Sequence, residues 1–463
     1  MKMHEQDIAN LVKGHMENNR HDEALPILLR VLSEFPNVVW ALTALGMIYR
    51  GRKQFHAAEA CYKRAVKYAP DYAELHSNLG NLYKDMDRLD EAVDHSRKAV
   101  SLAPDRYTFL NNLAINYREN MQIEESLKTY EKCLELRPDD PVVQSDIGFV
   151  NLYSRDLDTA WDLFESRLKT DQVPFPDQLS IPKWEGQTDT KDKKLVVMTE
   201  QGFGDTLLMS RFFPLLAKKF KEVHVTCKPP LRPLFKDMPV TLINHEVVPL
   251  KEYDYYTPVM SIIQYIEKDW LKWPAIPPLN VAPKSTHKYR FLDVHVKAPK
   301  IGIVWSGSVT FKNNAKRAVD LEPFLKLAAS HPDLQFYSFQ KGEREQDLNK
   351  HGQGTIIPIG QSFDTFSDTA AALKHMDLII MTDSALAHLA GAFDIPVLNL
   401  LNTRPYWLYL PKSKTTPLYP SMRFVHQEIS GEWNPVFVTV DEILAAYSQK
   451  PESNVLSLID QKL

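Results

Sequence analysis

Apolar and polar residues follow a helical period through the first third of the chain, and proline interrupts that period at regular intervals. Pro36, Pro70, Pro104 and Pro138 recur every 34 residues. Each interval has room for two amphipathic helices, and proline ends the second helix because it cannot donate the backbone hydrogen bond that the next turn needs. The pattern therefore predicts a helix-turn-helix unit that repeats and stacks on its neighbours.

Small, leucine and aromatic residues occupy fixed positions within this period. They are Leu42, Leu45, Gly46, Tyr49, Ala58, Tyr62 and Ala65, then Leu79, Gly80, Tyr83, Ala92 and Ala99, then Leu110, Leu113, Ala114, Tyr117 and Tyr130. This pattern resembles the tetratricopeptide repeat (TPR) family. A weaker first repeat around Ala24 and a fifth around Gly148 and Ala160 extend the predicted array to about five repeats over residues 1–172. We expect its glycines to let the two helices of one repeat approach closely.

The first helix of each repeat is expected to line a concave face, where such arrays bind their partners. Position six of these helices is Asn10, Ala44, Asn78, Asn112 and Asp146. A carboxamide carries a donor and an acceptor side by side, so an asparagine row can pair with an extended peptide backbone. Similar asparagine ladders line the superhelix of the nucleocytoplasmic O-GlcNAc transferase, which implies a protein acceptor. The alternative is a solvated polar face, and Ala44 interrupts the row.

Beyond a proline-rich linker, the chain alternates short apolar runs with helical patterns. KLVVMTE (194–200), EVHVTC (222–227) and VTLIN (240–244) are predicted strands of one parallel sheet. From Pro299 the alternation restarts with KIGIVWSG and continues through LQFYSF, TIIPIG, DLIIMTD and PVLNLL. The prediction is α plus α/β: the repeat array, a linker and first Rossmann-like domain over 173–285, and a second over 286–463. Ligands of such sheets bind at the carboxyl ends of the strands.

Composition narrows the function classes. The chain has 463 residues, 44% of them hydrophobic and 25% charged, as expected for a folded globular protein. A formal net charge of −4 without a long basic run argues against nucleic acid as a partner. The three cysteines show no CxxC pair and no Cys/His spacing suited to zinc, which predicts a reducing compartment. Charges in the N-terminal segment, and the lack of an apolar stretch of about 18 residues, predict a cytoplasmic protein without an integral membrane segment.

Glycine is scarce, with 16 residues against 31 prolines, so its positions are informative. Gly202 and Gly204 follow the first strand of the first half, and Gly307 follows the first strand of the second. No complete G-x-G-x-x-G occurs there, which argues against a dinucleotide site. Glycine at these places allows the backbone to approach a ligand, and a following helix N-terminus favours an anion.

Several longer segments resemble bacterial TPR-containing glycosyltransferases. They are EQGFGDTLLMSRFFPLL, GIVWSGSVTFKNNAKRAVDLEPF, FQKG, DTAAALKHMDLIIMTDSALAHLAGAFDIPVLNLL, PYWLYL and YPSMRFVHQ. The catalytic part is similar to the ADP-heptose:lipopolysaccharide heptosyltransferase family over about residues 194–430. The resemblance implies the two-domain GT-B fold, with the acceptor on the first half and the nucleotide-sugar on the second. It also implies inversion at the anomeric carbon without a metal.

Sugar transfer with inversion needs a base for the acceptor hydroxyl and a counter-charge for the departing diphosphate. Asp205 matches the family's base position, and the alternative is a helix-capping role. Ser306, Ser308 and Lys312 are the expected diphosphate contacts, with Lys312 as the basic residue. Arg317 is a second basic candidate for that role, or part of a solvated loop.

The remaining candidates follow later strands. Asp383, Ser384, Ala385 and His388 lie where a strand meets a helix, and Gln340 and Lys341 resemble the family's nucleotide contact. His388 has a buried core histidine as its alternative. Arg404 and Trp407 are expected to close over the sugar, although Trp407 also suits plain packing. The loop around them, LNTRPYWLYL, differs from the form in relatives, and therefore leaves the donor sugar open.

These observations favour an inverting, metal-independent glycosyltransferase with a nucleotide-sugar as co-substrate and a protein acceptor held by the repeat array. Some similar repeat-bearing enzymes glycosylate flagellin, which makes flagellin one candidate acceptor. Two alternatives stay open. One is a repeat scaffold that senses a nucleotide-sugar with little turnover, and the other is a glycosyltransferase that acts on a saccharide or lipid-linked glycan.

Overall fold

A computed structural model of the chain describes residues 4–170, 179–200, 202–244, 248–293, 298–308, 314–351 and 354–463. The chain divides into two compact units, Met1–Asp156 and Leu157–Leu463. The first is a helical TPR solenoid, and the second contains two parallel sheets with helices, which confirms the predicted α plus α/β fold class.

In residues 4–156, the described part of the first unit, the chain forms nine α-helices. They are α1 Glu5–Glu17, α2 His21–Glu34, α3 Val39–Gly51, α4 Phe55–Tyr68, α5 Ala73–Asp85, α6 Leu89–Leu102, α7 Tyr107–Glu119, α8 Ile123–Leu136 and α9 Pro141–Ser154. The four repeat prolines each stand two residues beyond the end of α2, α4, α6 or α8, where a residue that cannot continue a helix belongs. The 34-residue period therefore reports real helix ends.

Two glycines have the close packing that the sequence predicts. A Cβ on Gly46 of α3 would lie 2.4 Å from a ring carbon of Tyr62 on α4. A Cβ on Gly80 of α5 would lie 2.3 Å from the hydroxyl oxygen of Ser96 on α6. Since both distances are shorter than any normal contact, neither position has room for a side chain. Leu42, Leu75 and Leu79 fill the seam between these hairpins.

The second unit begins at Leu157, before the end of the array predicted at residue 172. Its first helix, α10 (Leu157–Phe164), continues the sequence pattern of the fifth repeat. The Trp161 side chain of α10 is buried within the second unit. Its indole N–H donates to the Lys268 carbonyl over 3.0 Å, and its ring lies edge-on to Trp407. These contacts explain why the division falls before α10.

Among the described residues of the second unit, ten strands form two sheets. They are β1 Lys194–Met198, β2 Glu222–Thr226, β3 Thr241–Ile243, β4 Tyr255–Pro258, β5 Lys300–Val304, β6 Gln335–Ser338, β7 Ile356–Pro358, β8 Leu378–Thr382, β9 Val397–Leu401 and β10 Met422–His426. The first sheet has the order β3-β2-β1-β4 and the second β10-β9-β8-β5-β6-β7, and all pairs are parallel. Counted from β5, the second order is that of the six-stranded Rossmann sheet.

Helices cover these sheets. After α10 they are α11 Phe203–Met209, α12 Phe213–Lys219, α13 Ile262–Ile266, α14 Pro283–Lys288, α15 Asn314–Arg317, α16 Glu322–Ser330, α17 Asp347–His351, α18 Phe366–Leu373, α19 Ala385–Ala392, α20 Asn434–Gln449 and α21 Val455–Lys462. Strands such as β8 and β9 are buried at every position, as expected for parallel strands covered on both faces. Their side chains join Phe324, Val440 and Leu444 in one apolar core.

Candidate functional site

A cavity of about 440 Å³ opens at the carboxyl ends of the central strands of the second sheet. Its walls come from four segments of the second half, namely 306–308 after β5, 339–343 after β6, 363–366 before and at the start of α18, and 384–386 at the start of α19. Phe203 and Pro230 of the first half complete it, and the Phe203 ring lies 5.1 Å from that of Phe366. The position agrees with the general rule for ligands of doubly wound sheets.

Gln340 shapes the floor of this cavity through its side chain. It is 2% exposed, and its Oε1 accepts hydrogen bonds from the backbone N–H groups of Trp305 (3.2 Å) and Ser306 (2.9 Å). Its Nε2 donates to the carbonyls of Ser306 and Lys341, both over 3.0 Å. Because both ends of the amide are engaged by the backbone, Gln340 holds the loops after β5 and β6 together. Lys341 itself is exposed at the rim.

The loop after β5 is packed tightly against α15. A Cβ on Gly307 would lie 2.8 Å from a terminal nitrogen of Arg317 and 2.9 Å from Asn314 Oδ1. The Asn314 Nδ2 donates to Ser306 Oγ over 2.9 Å, while its Oδ1 is buried and accepts no hydrogen bond from the described residues. Glycine at position 307 thus lets a guanidinium stand directly over the strand exit. Ser308 is exposed beside it, and Lys312 lies outside the described residues.

Asp383, directly after β8, faces this guanidinium. Arg317 Nη1 lies 3.4 Å from Asp383 Oδ2, so Arg317 bridges the exits of β5 and β8. Burial raises the pKa of the Asp383 carboxyl, and the charge of Arg317 opposes that shift. The buried hydroxyl of Tyr409 also lowers the Asp383 pKa, although its geometry falls short of a hydrogen bond. Ser384 is the N-cap of α19, where its side chain accepts from the Leu386 N–H.

Asp205 lies in the first turn of α11, two residues after the cavity residue Phe203, and is not itself among the residues that line the cavity. Its Oδ2 accepts from the Gly202 N–H over 2.9 Å, so it caps the start of α11, and its Oδ1 accepts from the Tyr406 hydroxyl over 3.4 Å. Burial is the largest influence on this carboxyl and raises its pKa to about 6, with a further contribution from the negative charge of Glu200. The capping alternative and a pKa suited to a base therefore coexist in one residue.

The two halves of the second unit meet closely where α11 faces α19. A Cβ on Gly204 would lie 3.2 Å from His388 Cδ2 and 3.4 Å from the Ala385 Cα, so glycine permits this approach. His388 is 5% exposed, and its Nδ1 pairs with the Tyr419 hydroxyl over 2.9 Å. Burial, aided by the charge of Arg211, lowers its pKa to about 3. A neutral, buried histidine is the alternative that the sequence left open, and these contacts favour it.

Arg404 and Trp407 follow β9. The Trp407 ring is 2% exposed and lies against Trp161, Trp273 and Tyr406, which favours the packing alternative for this residue. The backbone N–H of Arg404 donates to Asn402 Oδ1, so the turn at this loop is fixed by a local hydrogen bond.

The asparagine row of the solenoid is partly engaged within the first unit. Asn78 and Asn112 are half-buried on α5 and α7, and Asn112 Nδ2 donates to Ser77 Oγ over 3.0 Å. Asn10 is exposed on α1 and accepts from Gln6. The Asp146 carboxylate on α9 is held by Arg118 over 2.6 Å and by the Tyr130 hydroxyl over 3.0 Å.

Sequence reasoning missed Tyr406 and Tyr409 as neighbours of the two cleft carboxyls. Both lie in the loop after β9, and the high aromatic content of that loop was the one feature of the sequence that could have drawn attention to them. It also missed a pair of buried charges, Arg167 and Glu200, that form an ion pair behind the Asp205 loop. A charged residue directly after an apolar strand, as in VVMTEQG, could have drawn attention to Glu200.

Fold and cavity together describe a TPR solenoid joined to a doubly wound α/β unit with a candidate ligand site. A family model described as TPR repeat matches residues 46–87, and one described as tetratricopeptide repeat matches residues 73–106 and 107–140. The chain is 29% identical over 322 residues to "Protein FlbA" of Caulobacter vibrioides. That match covers 62% of this chain and 52% of the relative, so it spans about half of the relative's length.

Two solved structures that are similar to part of this chain are shorter than it. One titled "MamA 41-end from Desulfovibrio magneticus RS-1" has a TM-score of 0.34 and 18% identity, covering 37% of this chain and 98% of its own. Another, titled "Functional Characterization of Pseudomonas Aeruginosa pilF", has a TM-score of 0.32 and 21% identity, covering 35% and 74%. Within the described residues, no helix has the length and apolar character needed to cross a membrane. The same residues contain no group of three or more His, Cys, Asp or Glu arranged to hold a metal ion.

Proposed function

We propose that this protein is an inverting glycosyltransferase that moves a sugar from a nucleotide-sugar to a protein acceptor bound by the TPR solenoid. The observation that carries the proposal is the 440 Å³ cavity at the carboxyl ends of β5, β6 and β8, with Asp205 two residues after the lining residue Phe203. Its volume falls within the range of small-molecule sites, and its apolar and aromatic walls suit a nucleobase.

Asp205 is the proposed general base. A carboxyl with a pKa near 6 is mostly ionised at neutral pH and still basic enough to take a proton from an acceptor hydroxyl. In the proposed step that proton passes to Asp205 as the acceptor oxygen bonds to the anomeric carbon. The bond from that carbon to the phosphate oxygen breaks, and its electron pair leaves with the nucleotide.

Arg317 is the proposed counter-charge for the departing phosphate. Its guanidinium lies over Gly307, between the exits of β5 and β8, and the backbone N–H of Ala385 at the start of α19 adds a second donor. Lys312 stays a proposed contact from the resemblance. Asp383, with Arg317 and Tyr409 around it, is the proposed contact for sugar hydroxyls.

The acceptor is proposed to be a protein because the solenoid supplies a long face with amide side chains. Asn112 keeps hydrogen-bonding capacity beyond its contact with Ser77, and Asn78 offers the same groups, since each carboxamide has two N–H donors and an acceptor oxygen. Flagellin is a candidate acceptor through the resemblance alone. A saccharide or lipid-linked acceptor stays an outcome of the same assays.

A nucleotide-sugar panel tests the donor half of the proposal. Wild-type protein, Asp205→Asn and the exposed control Asp333→Asn are each incubated with the panel and candidate acceptors, and released nucleotide is quantified. We expect release by wild type and Asp333→Asn, and about 100-fold less by Asp205→Asn, the usual size of a base contribution. Thermal-shift measurements with UDP, ADP, GDP and CMP run in parallel, because a ligand at 100 times its Kd adds about 2.7 kcal/mol. No release and no thermal shift would refute the proposal.

A scaffold that senses a nucleotide-sugar is the second candidate. It is favoured by the hydrogen bond from the Gly202 N–H to Asp205 Oδ2, which gives Asp205 a structural role at the start of α11 without catalysis. This candidate predicts thermal shifts with a nucleotide but no release from any donor, and identical behaviour for Asp205→Asn.

A further inference from the structure

A network of buried charges lies directly behind the loop that carries Asp205. Glu200, two residues after β1, has a side chain that is 1% exposed, and Arg167, in a short 3₁₀ turn after α10, has one that is 4% exposed. Glu165 and Lys183 complete the network, so two positive and two negative charges balance. Its net charge is zero although it contains four ionised groups.

The Arg167 guanidinium holds Glu200 with two parallel hydrogen bonds. Its Nη2 donates to Glu200 Oε1 over 2.8 Å and its Nε to Oε2 over 3.1 Å. This fork geometry fixes orientation as well as distance, which a lysine could not reproduce. Glu200 Oε1 also accepts a hydrogen bond from the backbone N–H of Met260, over 3.1 Å, two residues beyond the end of β4.

The other N–H groups of the Arg167 guanidinium also donate hydrogen bonds. Its Nη1 donates to Glu165 Oε1 over 2.7 Å and to the Phe164 carbonyl, and Nη2 also donates to Ser261 Oγ over 3.0 Å. The Phe164 ring lies under the guanidinium at 4.5 Å. With its donors engaged and almost no exposed surface, Arg167 has no route to a substrate, so it can act only through the groups that it holds, and Glu200 is the one that adjoins the Asp205 loop.

Glu200 links this network to the candidate base in two ways. It stands two residues before Gly202, whose N–H holds Asp205 Oδ2, and its charge is one of those that raise the Asp205 pKa. Tyr406, from the loop after β9, donates a hydrogen bond from its hydroxyl to Asp205. Burial raises the pKa of that hydroxyl, and the negative charges of Asp205 and Asp383 raise it further. Across α19, His388 approaches Gly204 as a neutral ring. Glu200 is thus the charged neighbour of Asp205 from its own half.

We propose that the buried Arg167–Glu200 pair is a positioning device for the Gly202–Asp205 loop. The proposal rests on the proposed function, because it assigns the pair to the presentation of the base. Arg167 fixes the carboxylate of Glu200, Glu200 fixes the strand exit, and the strand exit sets the orientation and local charge of Asp205. Burying unpaired charges is costly, so the pair must be kept or lost as a unit.

Carbon-13 NMR titration of the Asp205 carboxyl tests this without an activity assay, with the resonance assigned by comparison with Asp205→Asn. In Glu200→Gln the nearby negative charge is lost, so the Asp205 titration midpoint should fall by about half a pH unit or more. Glu165→Gln is the matched control, because Glu165 contacts the same guanidinium through another nitrogen. It should leave the midpoint unchanged. Equal midpoints in wild type and Glu200→Gln would overturn the proposal, and so would equal shifts in both variants.

Arg167→Lys is the variant for a second measurement, because lysine keeps the positive charge but cannot make the two parallel hydrogen bonds to Glu200. Hydrogen exchange at the Gly202 amide should accelerate at least tenfold, while amides of β5 in the second sheet keep wild-type protection. Wild-type exchange at Gly202 in this variant would contradict the proposal. Absence of transfer from every donor, with both measurements as predicted, would refute the proposed function and leave the positioning role intact.

Discussion

The Tyr406 hydroxyl donates a hydrogen bond to Asp205 Oδ1 over 3.4 Å. Asp205 belongs to the first half of the α/β unit and Tyr406 to the loop after β9 in the second, so the two halves meet at the candidate base. The environment that gives Asp205 a pKa of about 6 is therefore assembled by both sheets. Substitutions in either half should change how this carboxyl titrates.

Tyr406→Phe should raise the Asp205 pKa above its wild-type value. The hydroxyl stabilises the ionised carboxylate, so its removal favours the protonated form. The acidic limb of the pH–rate profile should move to higher pH, with a severalfold lower rate at pH 6.5 and a smaller loss at pH 8. A profile identical to that of wild type would show that this hydrogen bond has no influence on the base.

Asp205→Asn should make the folded protein more stable at neutral pH. The folded pKa of about 6 lies above the model value of 3.8, so the folded state binds more protons than the unfolded state between these pH values. Stability conferred by this group is present below about pH 4 and is lost as pH rises through 6. Because the side chain is partly exposed, we expect a gain of about 1–2 kcal/mol for the variant at pH 7.5.

Urea unfolding of wild type and Asp205→Asn at pH 7.5 and pH 4 checks that sign. The difference should shrink at pH 4, because the folded carboxyl is protonated there and most of the cost of ionising it accumulates at higher pH. Asp333→Asn, at an exposed position, should show no such pH-dependent gain. A variant that is less stable than wild type at pH 7.5 would mean that the capping hydrogen bond outweighs the cost of burying the charge.

Gly307→Ala should weaken nucleotide binding while the fold is retained. The new methyl group would lie 2.8 Å from an Arg317 nitrogen and 2.9 Å from Asn314 Oδ1, so the guanidinium has to move from the strand exit. We expect at least a tenfold higher Kd for the nucleotide by calorimetry, since a charge-assisted contact contributes about 1.5–3 kcal/mol. Gly14→Ala, where no atom lies within 4 Å, is the control and should bind as wild type does.

Gly46→Ala should destabilise the solenoid. Its Cβ would lie 2.4 Å from the Tyr62 ring, which is fully buried between α3 and α4, so the hairpin must open. Overpacking of this kind costs about 1–3 kcal/mol. Gly51→Ala in the same helix meets no neighbour within 4 Å and serves as the control. Local hydrogen exchange in α3 and α4 of the full chain distinguishes the two, and equal protection would contradict the packing role of Gly46.

The asparagine row makes a separate prediction about the acceptor. A double variant, Asn78→Ala with Asn112→Ala, should raise the KM for a protein acceptor and leave the Kd for the nucleotide unchanged. The reason is that the row belongs to the solenoid and the nucleotide site to the α/β unit. Asn10→Ala is a useful comparison at the exposed start of the row. An unchanged KM in the double variant would favour the solvated-face alternative.

The fold could be predicted from the sequence because repeat prolines, packing glycines and buried strands each produce a recognisable pattern over a few neighbouring residues. The prolines two residues after α2, α4, α6 and α8 and the crowded Gly46 and Gly80 follow directly from such signatures. β4 and β10 were not predicted as strands. β4 is tyrosine-rich rather than aliphatic, and β10 mixes apolar residues with arginine and histidine.

The sequence did not predict which side chains contact one another across the fold. Gln340 was expected to contact the nucleotide. Its side-chain amide instead makes hydrogen bonds with the backbone of Trp305, Ser306 and Lys341, which only the fold brings together. Tyr406 meets Asp205 across 201 positions of the chain, and Arg167 meets Glu200 across 33. Sequence separation of this kind leaves no periodic trace, so the cleft residues could be proposed from motifs but their contacts could not.

Intact-mass analysis of a protein acceptor is the decisive test of sugar transfer by this protein. A candidate acceptor is incubated with a nucleotide-sugar and either wild-type protein, Asp205→Asn or the exposed control Asp333→Asn. We expect a mass gain equal to one or more sugar residues with wild type and the control, matched by released nucleotide, and a gain about 100-fold slower with Asp205→Asn. Sugar transfer that proceeds equally well with Asp205→Asn would contradict the assigned base, and a complete absence of transfer across donors and acceptors would contradict the proposed activity.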